Sequence, residues 1–81
     1  MKPFFPRRFT KELESLPRAV QERFHKQLRF LLRDIRHPSL HAKKYHESQD
    51  IWQARVDSHY RFYFRIEKDI YVFLWIRRHK D

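Results

Sequence analysis

The chain has 81 residues, of which 41% are hydrophobic and 17% aromatic, enough for one small core and too many for a disordered segment. It contains no cysteine and no glycine, which excludes disulfides, thiolate metal sites and glycine-rich phosphate loops. Nineteen Lys and Arg against ten Asp and Glu give a formal net charge of +9, which favours a polyanionic partner. The apolar runs are too short to cross a membrane. We therefore expect a soluble, cytoplasmic single domain over residues 1–81.

The first half of the chain has the apolar spacing of two helices behind a short N-terminal strand. Residues 7–16 are predicted to form the first helix, and Pro17 suits the first turn of the second. From residue 18 to about 36, apolar residues recur every three or four positions, which is typical of a helix with one buried side. They are Val20, Phe24, Leu28, Leu31 and Ile35. The His37–Pro38 pair ends this helix.

After a polar connection over residues 39–50, the period of the pattern changes to two, which predicts three further strands. Apolar and polar side chains alternate over residues 52–56, 60–66 and 70–77. The three-residue segments DSH (57–59) and EKD (67–69) are expected to be the hairpin turns. The order β-α-α-β-β-β predicts an α+β fold in which two helices cover one face of an antiparallel sheet.

Arginines and aromatic residues share the phase of this alternation that looks away from the helices. The turns predict that Arg55 faces Arg61, that Arg65 faces Tyr71, and that Arg61 faces Trp75. In the last strand the outward positions are Tyr71, Phe73, Trp75 and Arg77. Like charges opposite one another are unfavourable unless an anion lies between them. Clustered arginines beside exposed aromatics suit a surface that binds phosphates and stacks bases.

The order of elements, together with several segments, resembles the RelE/ParE superfamily of bacterial type II toxins. The segments are FTKELESLP (9–17), RHPSLHAKKYH (36–46), Trp52, YRFYF (60–64) and the terminal RRH (77–79). RelE-like members cut mRNA on the ribosome without a metal, and leave a 2′,3′-cyclic phosphate. The resemblance, which covers almost the whole chain, implies the same endoribonuclease activity here and neutralisation by an acidic antitoxin.

The resemblance also implies roles for individual residues. A catalytic set is expected at Arg55, Arg61, Arg77 and His79, with the arginines stabilising the phosphate and His79 acting as acid or base. The residues expected to contact RNA are Lys43, Lys44, Tyr63, Trp75, Arg78 and Lys80. Many active members carry a tyrosine after the last strand, where this chain has Lys80, so the sequence identifies no general base.

Other functions stay open at this level. ParE-like members of the same fold inhibit DNA gyrase and cleave nothing, and a basic RNA-binding module without catalysis also fits the charge pattern. The expected partners are an antitoxin and the ribosome with its mRNA, or alternatively gyrase. No cofactor is expected. A metal is not expected either, because the six histidines have neither cysteine nor clustered acidic residues beside them.

Overall fold

The computed structural model describes residues 1–80, whose elements follow the predicted order with one added strand. Strand β1 (Lys2–Phe4) leads into helices α1 (Arg7–Glu14) and α2 (Arg18–Arg33). The remaining elements are a short 3-10 helix (Pro38–Leu40) and the strands β2 (Lys43–His46), β3 (Ile51–Arg55), β4 (Tyr60–Glu67) and β5 (Ile70–Arg78). Within these residues no helix is both long and apolar enough to span a membrane.

The strands of the described residues form one mixed sheet in the order β1-β5-β4-β3-β2. The predicted α+β fold is confirmed, and two of its details differ. Strand β1 pairs with β5 in parallel, so the sheet is not purely antiparallel. Strand β2 lies inside the segment predicted as a connection. It was not predicted because a largely exposed edge strand does not need an alternating apolar pattern.

Both helices begin directly after a proline, and they end earlier than predicted. Pro6 and Pro17 occupy the two N-cap positions with extended backbone. Proline suits the start of a helix because its ring fixes φ and because no N–H is needed there. Helix α2 stops at Arg33 because Asp34 is extended and its carboxylate accepts the backbone N–H of Arg36 at 2.9 Å. This hydrogen bond holds the pKa of the Asp34 carboxyl below its ordinary value.

Phenylalanine dominates the core between the helices and the sheet. The fully buried members are Phe9, Phe24, Phe62, Phe64 and Phe73. The ring of Phe24 lies edge-on to that of Phe62, with centroids 5.2 Å apart. Large rings remove much apolar surface from water, which a chain of this length needs.

A bulge in β5 changes which side chains face the helices. The pairing with β4 passes from Phe73 to Trp75 and skips Leu74. Before the bulge Tyr71 and Phe73 are buried against the core, and after it Ile76 is. The predicted outward position of Tyr71 and Phe73 is therefore wrong, because Tyr71 lies opposite Ile66 and Phe73 opposite Phe64, and the bulge returns the alternation to its predicted phase at Ile76.

The two hairpins differ in how well the sequence predicts them. The β3–β4 hairpin has the predicted register, with Arg55 opposite Arg61. The β4–β5 hairpin closes through a two-residue turn at residues 68–69, one residue shorter than predicted. The shorter turn pairs Arg65 with Val72 instead of Tyr71, and the turn and the bulge together pair Arg61 with Arg77 instead of Trp75.

Candidate functional site

Three arginines form a row across strands β3, β4 and β5, near the end at which β3 and β5 finish. Arg61 of β4 lies between Arg55 of β3 and Arg77 of β5, and is opposite each of them in the register. Such a row is electrostatically unfavourable in the absence of compensating groups. The three side chains are accommodated in different ways.

Arg61 is the buried member of the row, with 7% of its surface exposed. Its Nη1 atom donates hydrogen bonds to the carbonyl oxygens of Asp57 at 2.7 Å and Tyr60 at 3.0 Å. These bonds fix the guanidinium against the β3–β4 turn. A charge that is largely shielded from water interacts more strongly with an anion than an exposed one does.

Arg77 forms an ion pair with an acidic residue of α1. Its Nε donates to Glu12 Oε2 at 3.0 Å, while Glu12 Oε1 accepts the backbone N–H of Ile76 at 2.9 Å. Its guanidinium carbon lies 5.3 Å from the ring centroid of Trp75. Glu12 thus neutralises one end of the row and satisfies a backbone donor of β5.

A cleft of about 750 Å³ opens beside the row, where strands β2, β3 and β4 meet the end of β5. Its described lining contains permanently charged, imidazole and aromatic side chains and no carboxylate. The charged side chains are those of Lys43, Lys44, Arg55 and Arg61, the imidazoles are those of His41 and His79, and the aromatic is that of Tyr45. A lining that is rich in arginine and lysine and contains no carboxylate suits the binding of phosphate groups.

The two histidines that line the cleft adjoin different strands of the sheet. His79 follows β5, and its backbone N–H donates to the carbonyl of His59 at 2.6 Å, which ties it to the β3–β4 turn. His41 precedes β2 and has left-handed backbone, with φ of 46°. Imidazole is the side-chain group that most often transfers protons in catalysis, so both histidines are candidates for that role.

The two lysines differ in their contacts. Lys44 forms an ion pair with Asp50, and its Nζ lies 5.3 Å from the ring centroid of Trp52. Lys43 is exposed opposite Gln53. Asp50 therefore offsets part of the Lys44 charge, and Lys43 is the more accessible of the two cations.

The aromatic residues are arranged differently from the prediction. Tyr63 is only 7% exposed, because its ring lies 5.2 Å from that of Trp75 and 4.9 Å from that of Tyr45. Burial raises the pKa of the Tyr63 phenol. Tyr45, at 55% exposure, is the ring that lines the cleft. Its strand was not predicted, so the sequence did not indicate it as a site residue.

The structure thus brings together some of the predicted site residues and separates others. Lys43, Lys44, Arg55, Arg61 and His79 line the cleft. Trp75 lines a separate depression with Arg65 and Leu74. Arg78 lies against the ring of Tyr60, at 5.9 Å, and Lys80 is exposed outside the cleft lining. Within residues 1–80, no group of three or more His, Cys, Asp or Glu could hold a metal ion.

Comparison with known proteins identifies the class to which this fold and cleft belong. Residues 4–81 match the family model of the ParE toxin of type II toxin-antitoxin systems, parDE. The chain belongs to this family, and it is therefore a type II toxin of the RelE/ParE superfamily. No curated protein matches the sequence significantly.

Several solved structures of toxins have a similar fold. A YoeB/ParE toxin from Agrobacterium tumefaciens is 15% identical, with a TM-score of 0.78 over 99% of this chain and 100% of that chain. RelE in an archaeal RelE–RelB complex from Pyrococcus horikoshii is 20% identical, with a TM-score of 0.75 over 95% and 91%. The isolated E. coli RelE toxin is also 20% identical, with a TM-score of 0.75 over 98% and 84%. At these identities the likeness shows the fold.

Proposed function

We propose that the chain is a ribosome-dependent endoribonuclease that cleaves mRNA without a metal and thereby stops translation. The observation that supports this proposal is the cleft, in which the described lining combines cationic side chains with two imidazoles and no carboxylate. Cations can stabilise a phosphate as its negative charge increases, and imidazoles can transfer protons.

The proposed reaction is an internal transesterification. The ribose 2′-OH attacks the adjacent phosphorus, the bond from phosphorus to the 5′ oxygen breaks, and the products are a 2′,3′-cyclic phosphate and a 5′-hydroxyl. Arg55 and Arg61 stabilise the pentacoordinate phosphate. His79 and His41 are the groups proposed to take the proton from the 2′-OH and to supply one to the leaving oxygen.

An acidic antitoxin is the proposed partner that neutralises the toxin. The Pyrococcus horikoshii match is a RelE bound to RelB. A net charge of +9 favours an acidic chain that covers the cleft, and such a chain can gain affinity by folding as it binds.

Inhibition of DNA gyrase is the second candidate function. The family model that matches this chain is that of the ParE toxin, and ParE-like members act on gyrase. The same cationic cleft could then bind an acidic surface of gyrase, and its imidazoles would have no catalytic role.

The order of events after induction in bacteria separates these functions. We expect expression of the chain to arrest growth and to stop incorporation of labelled methionine before that of labelled thymidine. Arg61→Ala should abolish the arrest, whereas Arg29→Ala, which removes one charge from the outer side of α2, should not. An early DNA-damage response with continued protein synthesis would instead support action on gyrase. Normal growth with intact, folded wild-type protein would contradict both candidates.

A further inference from the structure

A second, smaller concavity shares Arg55 with the cleft. This groove, of about 200 Å³, lies between α2, the 3-10 helix and the turn that joins β3 to β4. Arg23, Lys26 and Phe30 line it from α2, and Asp57 lines it from the turn. Arg55 lines both concavities, so the two adjoin at this residue.

The groove is held open by a buried hydrogen-bond network. Gln27 is 4% exposed, and its Nε2 donates to the carbonyl of Arg55 at 2.9 Å and to that of Ser39 at 3.1 Å. Its Oε1 accepts a hydrogen bond from Ser39 Oγ at 3.3 Å. The spacing between helix, 3-10 helix and β3 is therefore fixed before any ligand binds, which lowers the entropic cost of binding.

The charge of the described groove lining is predominantly positive. Arg23, Lys26 and Arg55 are cationic, and Asp57 is the acidic group among these lining residues. The Asp57 carboxylate already accepts the backbone N–H groups of His59 and Tyr60, both at 2.8 Å. It is thus committed to the turn and offsets the cations only in part.

An aromatic ring accompanies these cations. Phe30 is half-buried, and its ring stacks on that of His37, with centroids 3.8 Å apart and planes 7° apart. Cations beside a supported ring match a single-stranded nucleic acid, because phosphates bind the cations while a base packs on the ring. Ionic attraction of an acidic peptide would require the cations but not the ring.

We propose that this groove binds the nucleotides next to the scissile phosphate of a single-stranded RNA, with Arg55 contacting the backbone where it passes from cleft to groove. This inference rests on the proposed function, since it extends the substrate path of the same site. It assigns Arg23, Lys26 and Phe30 to RNA binding, in addition to the residues of the cleft.

Binding of RNAs of two lengths tests the groove independently of cleavage. The probes are a fluorescein-labelled trinucleotide and dodecanucleotide in which every 2′-OH is methylated, so that neither can be cut. The double variant Arg23→Ala/Lys26→Ala should bind the dodecanucleotide about tenfold more weakly, with the slope of log affinity against log salt reduced by about 1.4. Trinucleotide binding should be unchanged. Phe30→Ala should also weaken binding of the dodecanucleotide, with no change in salt slope.

A matched control removes the same charge from the same helix. Arg29→Ala/Arg33→Ala should reduce dodecanucleotide affinity much less than the groove pair does. Equal losses for the two pairs would overturn the proposal, because they would indicate diffuse attraction to the whole helix. Unchanged RNA affinity in the groove variant, with weaker binding of an acidic peptide, would also overturn it and assign the groove to a protein partner.

The outcome is separable from that of the proposed nuclease. If RNA binding depends on RNA length and on the groove residues as predicted, but the wild-type chain cuts no RNA, the proposed groove is supported and the proposed nuclease activity is contradicted. If the chain cuts RNA and the groove variants bind RNA as tightly as wild type does, the nuclease activity is supported and the proposed groove is contradicted. Arg23 and Lys26 are exposed, and the pair Arg23→Gln/Lys26→Gln repeats the test with longer side chains that preserve packing.

Discussion

Arg61 is buried and lies between two other arginines, and neither feature by itself stabilises the folded chain. Its partners in the register are Arg55 and Arg77, and burial reduces the screening by water. The carbonyls of the β3–β4 turn accept hydrogen bonds from its guanidinium, and Glu12 neutralises Arg77. An anion in the cleft would add to this compensation, so we expect ligand binding to stabilise the folded chain.

The buried phenol of Tyr63 makes stability depend on pH in the alkaline range. Its pKa is raised in the folded chain, above an unfolded value of about 10. Below pH 10 the phenol is neutral in both states and the contribution is fully present. As the pH rises further, the unfolded state ionises first, and stability is lost up to the folded pKa.

Tyr63→Phe should therefore flatten the loss of stability above about pH 10. Urea unfolding midpoints of wild type and variant, measured at pH 9 and pH 11, check this expectation. Part of the slope should remain, because burial also raises the pKa of Tyr71. An identical fall in midpoint for both proteins would contradict the assignment.

Lys68 occupies a backbone conformation that glycine would adopt at lower cost. Its φ is 56°, in the turn between β4 and β5. Lys68→Gly should stabilise the chain by about 1 kcal/mol relative to Lys68→Ala, which has the same charge but keeps a Cβ. Thermal unfolding of both variants measures the difference. A melting temperature of Lys68→Gly equal to or below that of Lys68→Ala would show that the turn carries no such strain.

At the scale of elements, the sequence predicts the helices and core strands well, and the sheet edges and irregularities poorly. Helix α2 was predictable from its apolar period. Strand β2 was not, because an exposed edge strand leaves little pattern in KKYH. The bulge at Leu74 was also hidden, since LWI is as apolar as the regular strand around it. The register set by the two-residue turn makes Tyr71 and Phe73 core residues, and the bulge then brings Ile76 to the same face.

Gln27 shows how a polar residue can replace an apolar one within a helical stripe. The buried positions of α2 are 20, 24, 27 and 31, whereas the prediction chose Leu28 over Gln27. The Gln27 amide can be buried because it donates hydrogen bonds to the carbonyls of Ser39 and Arg55. Buried polar groups need such partners. Helix propensity and apolar spacing depend on the local sequence, so they carry no information about those distant acceptors.

Gln27→Leu should destabilise the chain by about 1–3 kcal/mol, because it leaves the part-buried carbonyls of Ser39 and Arg55 without this donor. The matched control is Gln21→Leu on the same helix. The Gln21 amide also donates to two carbonyls, but it is partly exposed, and water can replace it. Chemical denaturation of both variants gives the comparison, and similar losses would contradict the account of the network.

At the scale of the whole molecule, the fold separates an apolar interior from a cationic cleft and groove. The pattern of alternation assigned Arg55 and Arg61 to one face, and the resemblance to the superfamily assigned His79 and the lysines to the same site. The structure brings these residues together. Arg77 and Tyr63 could not be placed from the sequence, because their surroundings depend on Glu12 of a distant helix and Tyr45 of an unpredicted strand.

Primer extension on an mRNA incubated with programmed ribosomes and the purified chain tests the proposed nuclease activity. We expect cuts at the ribosomal A site by wild type and by Arg29→Ala, and no cuts by folded Arg61→Ala. Arg61→Lys should cut weakly, because an ammonium keeps the charge but not the geometry of the guanidinium. An uncut mRNA in the presence of folded wild-type chain and active ribosomes would contradict the claim.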